Sequence, residues 1–533
     1  MASPLSDTDA GAPARAIVFI GFMGAGKSTA AAEVAAVLGT TALDSDRLVE
    51  QALGRSIAGE FERSGEASFR EREQEVVCKL LAEAGRAGHQ TVIALGGGSV
   101  LSPQVREALK DHLTVLLDVS AESAWRRVGE GAAAARRPLA VDRAAFFAAH
   151  AARTECYETI ADAFVPSVGK HVAVRALPGL RALAAAPAGT RLLWASAASG
   201  DYPVLVGSGL LTPEVCASPA WPLDRGASRP FCVSDRNVAP LYAERLGGVA
   251  ELVEIDPGER HKTLASAESV WSALVAGGMT RADHLVALGG GVVGDLAGFC
   301  AATYQRGVPV VHVPSTLVAQ VDSAYGGKTG VDLPAAKNYV GAYHQPAGVI
   351  VDPDVLGTLP AAEHSAGYAE VIKTALIAGG ELWARVQADA PIDQRTILAC
   401  ARTKLAVVAE DERDAGRRQV LNLGHTVGHA IEAVTGYERY RHGEAVALGL
   451  LAALRLSGLE DLRAEVGELL RAHELPTTLG EVDVEQVLAA TRRDKKRTGE
   501  QVPFVLLDAP GEAKTGCHVA EVDLRAAVTE LRG

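Results

Sequence analysis

Ala16-Ile17-Val18-Phe19-Ile20-Gly21-Phe22-Met23-Gly24-Ala25-Gly26-Lys27-Ser28 is the stretch whose reading decides the fold of the first part of this chain. An apolar run enters a glycine-rich turn, and an Ala-rich helical pattern follows from Lys27 to about Leu38. Gly21 to Ser28 fits G-x-x-x-x-G-K-[ST]. Glycine tolerates the dihedrals that let successive N–H groups wrap a phosphate, and the helix N-terminus adds partial positive charge. In such a loop Lys27 reaches the β- and γ-phosphates and the Ser28 hydroxyl binds Mg²⁺. Gly24, Ala25, Gly26 and Thr29 are the remaining candidate residues of the cradle, which is expected to hold nucleotide phosphates with Mg²⁺.

Working outward, Val92 to Leu95 is an apolar run ending in Gly96-Gly97-Gly98, and Leu113 to Val119 is a third run. Helical patterns separate the runs, which predicts a parallel sheet with crossover helices. The Ala-, Pro- and Gly-rich text between Pro178 and Gly189 reads as a linker. Leu192 to Ser196 and Tyr202 to Val206 read as strands joined by a polar turn. The βα alternation then resumes through Pro230-Phe231-Cys232-Val233, Leu285 to Leu288, Val308 to Val313 and Val349 to Asp352. Beyond about Pro360 the pattern is helical. The expected class is α/β: a loose tail over 1–14, a phosphate-loop parallel-sheet domain over 15–177 and a linker over 178–189. A Rossmann-like α/β domain over 190–360 and an all-helical domain over 361–533 complete it.

The 533 residues, 48% hydrophobic and 22% charged, suffice for about three packed domains and exclude wholesale disorder. A net charge of -13 argues against a nucleic-acid binder. Seven cysteines without a C-x-x-C pair fit reduced thiols in a cytoplasmic protein. No apolar run approaches a membrane span.

Asp44-Ser45-Asp46 follows the first helical pattern. Residues two apart on an extended segment face the same way, so the two carboxylates suit Mg²⁺ water shells and a substrate hydroxyl at a nucleotide site, although by itself the motif reads more readily as a solvated turn. Phe69-Arg70, the triple glycine and Arg136-Arg137-Pro138-Leu139 come further on. Arg137 lies in an Ala/Gly-rich segment suited to a flap that closes over phosphates. These residues, with Gly65-Glu66 and Arg153 before Tyr157, resemble the shikimate kinase family over about Ile17 to Val165. The resemblance implies that Asp46 holds shikimate hydroxyls, that Arg70 and Arg153 hold its carboxylate, and that Gly97 and Gly98 approach the ring. It implies that Arg137 covers ATP, and that Lys27, Asp46 and Arg137 are the catalytic set. Glu60 stands where the family usually has an apolar residue, and Thr154-Glu155-Cys156-Tyr157 replaces a Pro-Leu-Tyr pattern. A gluconate or nucleotide kinase is the alternative.

In the second half, His284-Leu285-Val286-Ala287-Leu288 runs into Gly289-Gly290-Gly291-Val292-Val293-Gly294-Asp295. Gly289, Gly291 and Gly294 fit G-x-G-x-x-G, which suits a dinucleotide pyrophosphate or a plain tight turn. Asp256-Pro257-Gly258-Glu259-Arg260-His261-Lys262 offers polar side chains for ribose or phosphate. His425 and His429 share one helix face, His442 follows, and Glu370 lies in a helical segment. Two imidazoles and a carboxylate leave open positions on Zn²⁺, as a catalytic site needs. Only 12 residues are Lys against 40 Arg. Lys328, Lys337 and Lys373, with Arg306 and Arg418, form a cationic set for a substrate carrying phosphate and carboxylate. Lys404 and Lys514 read as solvated surface. Asp494-Lys495-Lys496 reads as surface or as another phosphate contact.

This half resembles 3-dehydroquinate synthase over about Thr190 to Leu531. The carrying phrases are Pro314-Ser315-Thr316-Leu317, Gln320-Val321-Asp322-Ser323, Gly326-Gly327-Lys328-Thr329, Lys337-Asn338, Glu370-Val371-Ile372-Lys373, Leu421-Asn422-Leu423-Gly424-His425-Thr426 and His442-Gly443-Glu444. The resemblance implies Glu370, His425 and His442 as ligands of Zn²⁺ or Co²⁺, and His429 as a substrate-site residue. Asp322, Lys328, Asn338, Lys373, Arg418, Asn422 and Arg306 map to substrate-binding positions, with Lys328, Lys373, Arg418 and His429 also catalytic. NAD is expected on Asp256, Glu259, Lys262, Gly290 to Asp295, Ser315, Thr316, Lys328 and Lys337. Asp414 stands where Glu is usual, able to pair with a lysine at shorter reach, and Arg417 where an apolar residue is usual. The implied protein is a bifunctional enzyme acting on shikimate, ATP and a heptulosonate phosphate, and a homodimer through the synthase half. Two alternatives stay open: one half serving as scaffold, and another sugar phosphate as substrate.

Overall fold

The structure is a computed structural model and describes residues 15–87, 89–129, 142–334, 336–492 and 502–532. The 1–14 tail, Arg136-Arg137-Pro138-Leu139 and Asp494-Lys495-Lys496 lie outside the described residues. The chain divides into two compact units. One runs to Ala184 and includes Arg191–Trp194; the other takes Ala185–Thr190 and the chain from Ala195 onward.

The first unit is built on strands β1 (Ile17–Ile20), β2 (Ala42–Asp44), β3 (Val92–Ala94), β4 (Leu113–Asp118), β5 (Ala163–Pro166) and β6 (Arg191–Ala197). They pair in parallel in the order β2-β3-β1-β4-β5-β6. All four residues of β1 are buried, as expected of a strand covered on both faces. β1 lies between β3 and β4, so the chain order reverses beside it, where open α/β sheets bind ligands. The glycine-rich loop leaves from that point, and the helix Lys27–Leu38 follows.

The second unit begins its sheet with β7 (Gly200–Val206), β8 (Pro230–Asp235), β9 (Glu251–Ile255), β10 (His284–Gly289) and β11 (Val310–Pro314). The hairpin β12 (Lys328–Leu333) and β13 (Ala336–Tyr343) precedes β14 (Gly348–Val351). The parallel order is β7-β14-β11-β10-β8-β9. Phe231, Leu285, Leu296 and Phe299 belong to the buried cluster that fixes the helix Gly291–Thr303 on this sheet. From Ala361 helices dominate, chiefly Ala361–Ala378, Gln394–Glu410, His425–Val434 and His442–Leu456.

Small residues let three of these helices converge. A Cβ at Gly443 would collide with the carbonyl of Ala366, and one at Gly428 would stand 3.1 Å from the carbonyl of Ala445. The helix His442–Leu456 is therefore pressed against both Ala361–Ala378 and His425–Val434, and Glu370, His425 and His442 come to one place.

The predicted strands of the first two-thirds of the chain are found within a few residues. The 178–189 segment is different: most of it is the helix Leu177–Ala185, with Leu177, Leu180 and Leu183 buried. Those leucines recur every three residues, and this apolar spacing outweighs Pro178 and the flanking glycines. The helical region also carries the hairpin β15 (Phe504–Ala509) and β16 (Glu512–Cys517). Among the described residues no helix is long and apolar enough to cross a membrane, and all seven cysteines are free thiols.

Gly443→Ala is expected to cost roughly 1–3 kcal/mol by overpacking against Ala366. Gly357→Ala, where an added Cβ meets nothing within 4 Å, should stay within about 0.5 kcal/mol of wild type. Urea unfolding of the two variants checks the convergence.

Candidate active sites

In the first unit the loop after β1 needs glycine at Gly24, whose φ is 83° and where a Cβ would meet the Ala124 carbonyl at 2.8 Å. Lys27 Nζ donates to the carbonyls of Gly21 (2.8 Å) and Phe22 (3.2 Å). Ser28 Oγ donates to Asp44 Oδ2 at 2.7 Å. Asp44 ends β2 and caps the next helix by accepting from the N–H of Asp46 (3.0 Å) and Arg47 (3.4 Å). The expected extended Asp44–Asp46 pair is thus a cap and a first-turn residue, because the chain turns helical at Ser45. Asp46 still reaches the site, since a Cβ on Gly96 would collide with its carboxylate.

The other shikimate-type residues gather at the same mouth. A Cβ on Gly98 would collide with the Arg70 guanidinium, and one on Gly97 would lie 3.7 Å from Lys27 Nζ. Arg70 donates to Glu73 Oε2 (2.7 Å) and Glu66 Oε1 (3.1 Å). Tyr157 OH donates to the Gly97 carbonyl at 2.5 Å, and the Arg153 guanidinium lies 5.6 Å from the Phe22 ring centre. Burial pushes the Tyr157 phenol up to about 12, so it donates throughout the ordinary pH range. Arg137 belongs to the residues outside the description. Of the departures, Glu60 faces Arg55 at 3.5 Å, and Cys156 Sγ donates to the Val100 carbonyl at 3.4 Å.

In the second unit β10 ends at Gly289 and the helix starts at Gly291, carrying Val292, Val293, Gly294 and Asp295 in its first turns. A Cβ at Gly290 would approach Thr316 Cγ2 to 2.8 Å. The hydroxyls of Ser315 and Ser323, on the facing segment, are buried without a hydrogen-bond partner. Lys262, 2% exposed, holds Glu259 Oε1 (2.7 Å), Asp295 Oδ2 (3.2 Å) and Asp332 Oδ1 (3.9 Å). Burial disfavours its charge, and Asp295 and Glu259 more than offset that, so its ammonium is raised above the ordinary lysine value. Asp256 is exposed and pairs with Arg236 at 3.2 Å.

The three-helix junction brings Glu370 Oε1 within 3.6 Å of His425 Nε2 and 3.3 Å of His442 Nε2. One ligand atom from each lies within 4.8 Å of the others. His425 Nδ1–H donates to the Leu423 carbonyl at 3.1 Å, and His442 Nδ1–H donates to Glu432 Oε1 at 3.2 Å. Both rings therefore turn Nε2 toward Glu370, the donor set of a three-residue metal site. His429 stacks at 5.9 Å on the His442 ring. Burial lowers the His442 imidazole, and the hydrogen bonds to Glu370 and Glu432 outweigh it, so the ring is raised to about 10.

Next to this triad the charges alternate. Lys373, 1% exposed, donates to Asp322 Oδ2 (2.5 Å) and forms an ion pair with Glu370 Oε2 (2.6 Å). Lys404 bonds the other Asp322 oxygen and donates to the Asp322 carbonyl at 2.8 Å. Lys404 is therefore a buried member of the cluster, not the solvated lysine expected. The helix Gln394–Glu410 turns it inward between Cys400 and Val407, which sequence spacing alone did not separate from the polar face. Lys328 Nζ meets Asp414 Oδ2 at 2.5 Å, so the shorter acid does pair with a lysine. Lys337 joins Glu259 (3.1 Å) to Glu432 (3.3 Å).

Other residues stand apart from these pairings. Arg418 is buried, with one Nη donating to the Gly326 carbonyl at 2.9 Å and the other to that of Glu412; only its Nε is without a partner. Asn422 Nδ2 donates to the Gln419 carbonyl at 3.0 Å. Asn338 is exposed, at φ 57°, with its N–H on Asp332. Arg306 is exposed on a turn where Gln305 (φ 48°) and Arg306 (φ 71°) are both left-handed, outside the buried cluster.

The sequence reading did not single out Arg127, Glu73, Asp235, Lys404 or Glu432 as site residues. Arg127 donates to the Gly24 carbonyl at 3.2 Å and to Ser167 Oγ at 2.6 Å, bracing the loop. Glu73 accepts from Ser99 Oγ at 2.7 Å and from Arg70. Asp235 closes β8, the strand beside β10, and its carboxylate caps the turn that follows by accepting from the N–H of Asn237 (2.8 Å) and Val238 (3.0 Å), a local role. An acid at a strand's carboxyl end is a readable signal; the others are long-range.

Residues 252–366 match the family model for the 3-dehydroquinate synthase N-terminal region, 367–497 that for its C-terminal region, and 23–177 that for shikimate kinase. The chain is 45% identical over 344 residues to a 3-dehydroquinate synthase of Halorhodospira halophila, covering 61% of this chain and 94% of that protein. Identity to one from Symbiobacterium thermophilum is 42%, over 62% of this chain and 98% of that protein. A solved 2-epi-5-epi-valiolone synthase from Streptomyces hygroscopicus, with NAD⁺ and Zn²⁺ bound, is 26% identical at a TM-score of 0.56, covering 62% of this chain and 96% of its own. A 2-deoxy-scyllo-inosose synthase, complexed with carbaglucose-6-phosphate, NAD⁺ and Co²⁺, shares the fold at a TM-score of 0.57 and 24% identity.

Asp322→Ala is expected to leave the buried ammoniums of Lys373 and Lys404 without the carboxylate between them, a loss of roughly 3–5 kcal/mol. Adding Lys404→Met should recover part of that loss in urea unfolding. No recovery would put Lys404 back on the surface.

Proposed function

We infer two activities from one premise: the chain belongs to the 3-dehydroquinate synthase family and carries a shikimate kinase domain ahead of it. It is a kinase and a lyase of the shikimate pathway. The first unit is proposed to phosphorylate the 3-hydroxyl of shikimate with ATP. The second is proposed to convert 3-deoxy-D-arabino-heptulosonate 7-phosphate into 3-dehydroquinate and phosphate with NAD and zinc or cobalt. The observation that carries the second reading is Glu370 Oε1 facing both His425 Nε2 and His442 Nε2 beside the Lys373–Asp322–Lys404 cluster.

In the kinase unit Ser28 and Asp44 would hold Mg²⁺, and Lys27 would move from its loop carbonyls to the transferring phosphate. Asp46, whose carboxylate lies beside Gly96, would accept from a substrate hydroxyl. Arg70 and Arg153 offer planar forks to a carboxylate. Arg137, outside the described residues, is proposed from the family resemblance to cover the ATP phosphates.

In the synthase unit Glu370, His425 and His442 fit a metal ion, and the glycine loop with the orphaned Ser315 and Ser323 hydroxyls fits a dinucleotide. When bound, NAD supplies a reversible hydride acceptor and the metal acidifies a secondary hydroxyl. The chain's own work is positioning. Lys328, Lys373 and Lys404, with Asn338, Asn422 and His429, set cations and hydrogen-bond groups around an anionic sugar acid. The buried pairing of Lys373 and Lys404 with Asp322 keeps that part of the field in place before substrate arrives. Arg418 acts mainly by holding the Gly326-Gly327-Lys328 loop. The cytoplasm, where free thiols persist, is the proposed location, and the resemblance extends to a homodimer through the synthase unit.

The two activities should separate by mutation. Lys27→Ala is expected to lower shikimate-dependent ADP formation by about 10²–10³-fold and leave phosphate release from the heptulosonate phosphate unchanged. His425→Ala should do the reverse. Product identification with each substrate alone reads both; wild-type protein lacking either product would remove that activity from the reading.

A further inference from the structure

The helix His425–Val434 places a third group on the face that carries His425 and His429. Glu432 follows them at one-turn spacing and is 2% exposed. Its Oε1 accepts from His442 Nδ1 at 3.2 Å and from Lys337 Nζ at 3.3 Å. We propose that Glu432 is a positioning residue that orients the ring of His442 for the metal and ties that ring, through Lys337, to the nucleotide loop. This rests on the metal reading of Glu370, His425 and His442.

His429, Glu432 and His442 also form a group of ligand type. Two contacts decide which group takes the ion. At Glu370 the oxygen facing both imidazoles is Oε1, while Lys373 occupies Oε2. At Glu432, Oε1 carries both the imidazole and the Lys337 ammonium, while Oε2, buried without a hydrogen-bond partner, belongs to the same lysine-paired carboxylate. A metal on that carboxylate would meet a lysine cation. Glu432 therefore acts behind the ligand: it accepts the hydrogen bond from Nδ1–H, which leaves Nε2 of His442 turned toward Glu370 as the atom that would ligate. Carboxylates behind a ligating histidine fix its tautomer and raise its basicity.

The second half of the inference follows the ion pairs outward. Lys337 stands on β13 and pairs with Glu259 at 3.1 Å; Glu259 pairs with Lys262, and Lys262 pairs with Asp295 in the second turn of the helix after the glycine loop. The path from metal ligand to loop is one line of alternating charges, buried at Glu432 and Lys262 and half-buried between them. A dinucleotide that orders the loop end then favours the orientation of His442 at the other, and by reciprocity metal favours the dinucleotide.

The test uses the full-length protein stripped of metal and titrated with Co²⁺, with and without NAD⁺, following the Co²⁺ absorption spectrum. Glu432→Gln should weaken Co²⁺ binding about 10–100-fold, change the spectrum, and abolish the gain in Co²⁺ affinity that NAD⁺ gives wild type. Glu432→Asp, which keeps the charge one methylene further back, should fall between the two. Glu432→Gln binding Co²⁺ within twofold of wild type would overturn the proposal; if that variant does not fold, the same result with Glu432→Asp does so. Wild type showing no gain with NAD⁺ would overturn the link to the nucleotide loop. His425→Ala binding Co²⁺ as wild type does would instead remove the metal reading itself.

Discussion

The ammonium of Lys373, enclosed between Asp322 and Glu370, is the interaction around which the synthase unit is arranged. A charge taken out of water costs several kcal/mol unless it is paired and hydrogen-bonded. Lys373 meets that cost with two carboxylates from different places. Glu370 lies one turn back on its own helix, and Asp322 sits in the π-turn Ala319–Ser323 after β11. Each of those carboxylates has a further cationic or imidazole partner: Lys404 on Asp322, and His425 and His442 on Glu370. No member of the set is neutralised alone. The sheet and the helical region are thereby joined at the point where the chemistry is proposed, and the charges are preorganised by the fold.

The two glycine loops show one local solution serving two architectures. Each follows a buried parallel strand and opens a helix beside a reversal of strand order. They differ in where the cation comes from. In the first unit Lys27 begins the helix itself and rests on loop carbonyls. In the second the loop carries no lysine, and Lys262 arrives from another segment already clamped by Glu259, Asp295 and Asp332. Lys262 was expected among the cofactor contacts. Its pairing makes it a brace for Asp295.

What was legible in the sequence was local. The glycine loops, the strands around them and the His425–His429 spacing each depend on a window of about a dozen residues, in which apolar period and turn chemistry speak directly. The shikimate kinase and dehydroquinate synthase resemblances were likewise carried by short phrases. Three things were not legible. Asp44 as a helix cap required knowing that the chain turns at Ser45. The helix Leu177–Ala185 hid behind Pro178 and Gly179, residues that read as breakers until the buried leucines are seen. Lys404 and Glu432 owe their roles to partners 82 and 95 residues away, Asp322 and Lys337, and no periodicity encodes such a distance.

The departure at Asp414 shows which positions tolerate such change. Lys328 is half exposed and reaches a carboxylate shortened by one methylene, at 2.5 Å, because four rotatable carbons let the ammonium follow its partner. Arg70 has no such latitude. Its planar fork is shared between Glu66 and Glu73 on its own helix, Gly98 leaves room for the guanidinium and nothing larger, and Glu73 is itself held by Ser99. A shorter acid at Glu73 would have to leave either the fork or the Ser99 hydroxyl. Variation at the synthase mouth is therefore absorbed by side-chain length. At the kinase pocket, geometry fixed by a helix and a glycine forbids it, so a changed residue there bears more directly on substrate than one beside a flexible lysine.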